Sequence, residues 1–98
     1  MIVRIVRMHL REEEVETFLR IFHSNKIAIR NFPGCTHLEL LKDKVAPNTY
    51  TTLSHWNDNE DLEAYRKSEL FEGVWVVVKK LFSGRPEAFT LVKFIEVK

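Results

Sequence analysis

The stretch YTTLSHWNDNEDLEAYRKSELF, Tyr50 to Phe71, constrains the fold of this chain more than any other segment. A strand-like run rich in β-formers ends on Trp56. Asn57, with Glu60 three positions on, has the form of a helix-capping pair, and Leu62 and Tyr65 give the short acidic helix an apolar side. Ser68 can cap a second segment, in which Leu70, Phe71, Val74, Trp75, Val78, Leu81 and Phe82 keep helical spacing. Its VWVVV core would suit a strand on propensity alone, but no turn signal interrupts Leu70 to Phe82, which favours a helix.

The rest of the chain follows the same grammar. Ile2 to Leu10 is rich in β-branched residues and reads as a first strand. Arg11 to Asn31 reads as a helix, with Val15, Phe18, Leu19 and Phe22 forming one apolar stripe. Glu12, Glu13 and Glu14 stand in its first turn, where the helix dipole favours negative charge. Pro33–Gly34 forms a turn, Cys35 to Lys42 a second strand, Asp43 to Asn48 a loop, and Thr49 to Trp56 a third strand. A turn over Gly84 to Pro86 precedes a last strand, Ala88 to Val97. With no repeat, linker or low-complexity stretch, residues 1–98 make a single domain. The order β-α-β-β-α-α-β predicts an α+β fold: a ferredoxin-like sandwich, an antiparallel sheet with helices on one face.

Both faces of that sheet carry apolar residues. Ile2, Val6, Met8 and Leu10 of the first strand oppose Val3 and Ile5; Phe89, Leu91, Ile95 and Val97 of the last oppose Val92 and Phe94. Helices can cover one face only, and a bare apolar patch of that size is unusual on a monomer. A face-to-face homodimer is the simplest cover. The other partners suggested by composition are few. Fifteen basic residues against fourteen acidic ones are scattered, with no basic stripe for nucleic acid. The longest apolar run, Val74 to Val78, falls far short of the ~20 residues a membrane helix needs. A lone Cys35 cannot form an internal disulfide, and MIVRIVRMHL is not a signal peptide, so the expected location is cytoplasmic.

These features together resemble the antibiotic biosynthesis monooxygenase domain family of dimeric α+β barrels. The matching residues are the opening strand MIVRIVRMHL, the helix end FPGC at Phe32 to Cys35, the strand end His55–Trp56, and NDNEDLEAYRKSELF after it. The resemblance implies a homodimer with one pocket per subunit between sheet and helices. It also implies a choice among cofactor-free oxygenases of quinols or phenols, heme-degrading enzymes and signal-processing enzymes. Two departures narrow that choice. The pattern L-x-A-H, which places a histidine at the pocket in many members, here reads Leu62-Glu63-Ala64-Tyr65. The Asn, Trp and His of the heme-degrading branch align with Val6, Tyr65 and Trp75, which leaves iron without an axial imidazole and argues against heme.

Among the remaining candidates, His9, His23, His37 and His55 stand singly, without metal-ligand spacing, and no metal or cofactor is expected. His55, beside Trp56 at a strand end, and then His9 are the candidate bases, with Tyr65 as the hydrogen-bond donor. His55 and Trp56 must face opposite sides of the sheet. Val6, Met8, Trp56, Tyr65, Phe71, Trp75 and Phe82 are candidates for a pocket taking a small aromatic or hydrophobic molecule; core packing at helical spacing is the simpler account of the aromatics. Arg4 and Arg7 also point to opposite faces; a salt bridge is the plainer role for either, an anionic ligand the alternative. Cys35 has no histidine partner and suits a small buried hydrophobe. Two functions follow: a cofactor-independent monooxygenase, or a non-catalytic barrel that binds a small hydrophobic ligand.

Overall fold

The computed structural model describes residues Met1–Lys98. Seven principal elements run in the order β1 (Ile2–His9), α1 (Val15–Arg30), β2 (Cys35–Lys42), β3 (Thr49–Trp56), α2 (Asn59–Arg66), α3 (Glu69–Val78) and β4 (Glu87–Val92). Single 3-10 turns precede α1 and follow α3. The four strands form one sheet in the order β2-β3-β1-β4, every neighbour antiparallel. This is the expected ferredoxin-like α+β arrangement, and the VWVVV segment is helical.

Local chemistry explains most boundaries. Gly34, at φ 89°, turns the chain from α1 into β2 in a left-handed conformation that a residue with a Cβ resists. The Ser68 hydroxyl accepts from the Phe71 backbone N–H at 3.1 Å and starts α3, as its sequence suggests. The cap of α2 is Asp58 rather than Asn57: its Oδ1 accepts from the Asp61 N–H at 2.9 Å. Asn57 instead donates its backbone N–H to the Gly34 carbonyl at 2.9 Å, tying the α1–β2 turn to the entry of α2.

The last strand is shorter than its apolar pattern suggests, stopping at Val92 instead of Val97. Ile2 pairs with Val92, so β1 has no residues left to pair beyond one Lys93 N–H to Met1 carbonyl bond of 3.0 Å. Phe94, Ile95 and Val97 consequently stand 92%, 76% and 89% exposed.

Alternation sends Ile2, Arg4, Val6 and Met8 of β1 toward the helices, with Thr52, Ser54 and Trp56 of β3 and Leu38 of β2 beside them. One buried cluster gathers Met8, Leu10, Phe18, Tyr50, Val78 and Leu81 at one end of the sandwich. A second, of Ile2, Cys35, Trp56 and Leu62, closes the other end. The opposite face of the sheet has no covering layer within the chain. There Phe89 and Leu91 are about half exposed, at 52% and 50%.

Candidate functional site

Between the two clusters the sandwich does not close. A cavity of about 270 Å³ lies between the sheet and all three helices, near the lower end of the range for small-molecule sites. Its floor is Arg4, Val6 and Met8 of β1 with Thr52 and Ser54 of β3. α1 contributes Phe18, Ile21, Phe22 and Asn25, α2 Leu62, Tyr65 and Arg66, and α3 Phe71, Val74, Trp75 and Val78. Fifteen of the 21 lining residues are hydrophobic. None of them is acidic and none is a histidine, so the only charged groups at this cavity are two arginines.

The aromatic residues form a continuous array. Tyr65 stacks on Trp56 with centroids 5.0 Å apart and meets Phe32 and Phe71 edge-on at 5.3 Å each. Phe71 in turn stacks on Trp75 at 5.8 Å. Offset and edge-to-face contacts of this kind hold rings rigid beyond what area burial alone does. Trp56 is completely buried, and its indole N–H donates to the Ser54 hydroxyl at 3.0 Å. That bond satisfies the one polar atom an otherwise apolar anchor carries. The Tyr65 hydroxyl is claimed by no hydrogen bond within the chain and remains open to a ligand. Burial, reinforced by the nearby Cys35, pushes its pKa up to about 12. At neutral pH Tyr65 is therefore a phenol that donates, not a phenolate that takes a proton.

Six of the residues expected to line a pocket do so: Val6, Met8, Trp56, Tyr65, Phe71 and Trp75. Phe82 does not. It sits behind Trp75, edge-on at 5.6 Å, and bridges back to Leu10 as part of the core. The two candidate bases are also displaced from the expected position. His9 and His55 have the strand parity opposite to Met8 and Trp56, and both lie on the uncovered face. His9 is engaged there: Nε2 lies 2.7 Å from Glu87 Oε1 and Nδ1 lies 3.2 Å from the Thr49 hydroxyl. His55 lies beside His37, ring centroids 4.9 Å apart, because the irregular register between Cys35 and His37 sets His37 opposite His55. Burial, then the charges of His37 and Lys93, lower the His55 pKa, with Glu39 opposing.

The two β1 arginines also separate by parity. On the uncovered face, Arg7 pairs with Asp43 at 3.2 Å and with Glu87 at 3.5 Å. Arg4 lines the cavity. Cys35 is buried, its thiol pKa raised chiefly by that burial, which leaves it inert at neutral pH. No three His, Cys, Asp or Glu side chains stand close enough together to share a metal ion. Asn25 and Arg66 are lining residues that no sequence signal singled out. Asn25 continues the α1 stripe three positions beyond Phe22, and Arg66 adjoins Tyr65 on α2.

Comparison with known proteins accounts for this architecture. The family model for antibiotic biosynthesis monooxygenase matches residues 1–74. The chain belongs to the antibiotic biosynthesis monooxygenase family. Among solved structures, an antibiotic biosynthesis monooxygenase superposes with a TM-score of 0.89 at 16% identity, over 97% of this chain and 100% of its own. A conserved protein from Methanosarcina mazei Go1 gives 0.89 at 19%, covering 96% and 94% of the two chains. Rv0793 from Mycobacterium tuberculosis gives 0.89 at 14%, covering 99% and 98%. At such identities the likeness establishes the fold and leaves the reaction to the site. No curated protein matches the sequence.

Proposed function

We propose that this family member is a cofactor-independent monooxygenase that takes a small aromatic molecule, of quinol or phenol type, into the cavity between sheet and helices. The observation that carries the reading is the cavity itself: an apolar space with a stacked aromatic wall and one unclaimed phenol donor, Tyr65. Trp75 and Phe71 would hold the substrate ring, and Tyr65 would donate to a substrate oxygen. The ionised ring is electron-rich enough to reduce dioxygen directly. For a hydroquinone the balance closes without a further reductant. Hydroquinone plus dioxygen gives hydroxyquinone plus water: one oxygen atom enters the ring, the other leaves as water, and the ring supplies all four electrons. With no histidine or carboxylate lining the cavity, the proton passes to solvent, and the protein acts by favouring the anion.

The protein is proposed to work as a homodimer. The uncovered sheet face presents Val3, Ile5, Leu53, Phe89 and Leu91, and a second copy meeting it face to face would bury them with closed two-fold symmetry.

The missing base favours one second reading, a non-catalytic barrel that binds a small hydrophobic ligand. Oxygen uptake by the metal-free protein against hydroquinones and polycyclic phenols separates the two. Uptake that resists chelators and falls with Tyr65→Phe supports the oxygenase. Thermal stabilisation by panel members without any uptake supports the binding barrel. Neither response on any member overturns both.

A further inference from the structure

Within that cavity one charge lacks a counterion. Arg66 is paired with Glu63 at 3.0 Å, and on the other face Arg7 is paired twice. Arg4 has no carboxylate within salt-bridge distance; its one hydrogen-bond partner is the Thr90 hydroxyl, to which Nη1 donates at 2.7 Å. A guanidinium carries five N–H donors in a planar fork, so most of this one is free. It is held at the centre of β1, between Ser54 of β3 and Thr90 of β4, where its half-buried stem runs along the cavity floor beside Val6. Arg4 and Arg66 thus bring two positive charges to one apolar space, with a single carboxylate, that of Glu63, among the groups acting on Arg4.

We infer that the cavity is built for an aromatic anion, a ring bearing a carboxylate or phenolate oxygen, and that Arg4 is the residue that receives the charged oxygen. The inference rests on the cavity being a ligand site, and it adds the ligand's charge and its anchor. A bound anion would relieve two costs at once. Burial first, and then repulsion from Arg66, lower the Arg4 pKa, which shows the cation to be in an unfavourable place; it nonetheless stays charged at neutral pH. A carboxylate offered to the free fork makes short, charge-assisted and often bidentate bonds, roughly twice as strong as neutral ones. A phenol bound there is drawn toward its phenolate, which is the form that reduces dioxygen. Arg4 therefore does part of what a general base would do, by stabilising the anion without taking the proton. Strand parity makes the assignment specific, because Arg7, three positions on, faces the opposite side and is already neutralised.

The test compares matched probes. Naphthoate and naphthylmethanol share a ring and differ in charge, and binding of each to the wild type, Arg4→Met and Arg4→Lys is measured by calorimetry. The wild type is expected to prefer the carboxylate by about tenfold or more, the scale of one charge-assisted hydrogen bond. Arg4→Met should lose that preference, its affinity for the carboxylate falling to or below its affinity for the alcohol. Arg4→Lys, which keeps the charge but not the fork, should retain part of the preference. With para-nitrophenol, binding to wild type should raise the yellow phenolate fraction at constant pH, and Arg4→Met should abolish the colour change. Equal affinity of wild type for carboxylate and alcohol, or a preference that survives Arg4→Met, overturns the role of Arg4 and leaves the aromatic cavity standing. Failure of wild type to bind either naphthalene overturns the cavity reading along with it.

Discussion

Two glycine-to-alanine substitutions should move stability in opposite directions, and the structure gives the size of each. Gly34 has φ 89°, and a Cβ built there would collide with the Asp61 side chain in the first turn of α2. A left-handed backbone costs an L-residue about 1–2 kcal/mol. Relieving the collision means rotating Asp61 or shifting the start of α2, which is pinned by the Asp58 cap and by the Asn57–Gly34 hydrogen bond. Overpacking of this kind costs about 1–3 kcal/mol. Gly34→Ala should therefore lose roughly 2–5 kcal/mol, or roughly 10–25 °C in Tm for a domain of this size. Gly73 lies inside α3, and a methyl group added to its Cα would have no neighbouring atom within 4 Å, so alanine there meets open space. The restored helix propensity should stabilise by about 0.5–1 kcal/mol. Urea unfolding followed by circular dichroism, at one protein concentration, gives both midpoints with the slope as a check. An unchanged midpoint for Gly34→Ala, or a shift of both variants in the same direction, would refute the account of the α1–β2 turn. Because α2 carries Leu62, Tyr65 and Arg66, Gly34→Ala should also weaken ligand binding at temperatures where the protein remains folded.

Three further outcomes follow from the same geometry. Tyr65→Phe preserves the stack on Trp56 and the edge-on contact with Phe71 and removes a hydroxyl without a partner, so its unfolding midpoint should stay within about 0.5 kcal/mol of wild type while turnover or ligand affinity falls; a large loss of stability would mean the hydroxyl is structural. His55 has a folded-state pKa below its ordinary value, so the unfolded chain binds the proton more readily, and stability should fall as pH drops below about 6.5. His55→Asn should flatten that part of a Tm-against-pH profile, and a slope identical to wild type would assign it elsewhere. Leu53→Glu puts a charge at the centre of the uncovered face and should convert a dimer into a monomer at micromolar concentration by light scattering; a wild type that is already monomeric there would sink the face-to-face dimer.

The order of elements, the antiparallel sheet, the helical spacing of the α3 segment and the partition of residues between two faces were all legible before any folding. Each of these depends on periodicity or on a local cap: Trp56 and His55 had to part company because successive strand residues point opposite ways. The same is true of Arg4 and Arg7. Alternation does not say which parity meets the helices. That was settled by packing, which put Arg4 in the cavity and Arg7 among carboxylates, while removing His9 and His55 from the site they were expected to serve. Helical spacing placed Phe82 on the same side as Trp75, but the 3-10 turn over Lys79–Leu81 swings it back onto Leu10. The end of β4 was equally illegible, since the apolar pattern runs on to Val97 while pairing stops where β1 begins, at Ile2. Periodicity is a property of one segment, and it can name the residues of a face. Which face closes over a cavity depends on neighbours distant in sequence, and that is fixed only when sheet and helices assemble.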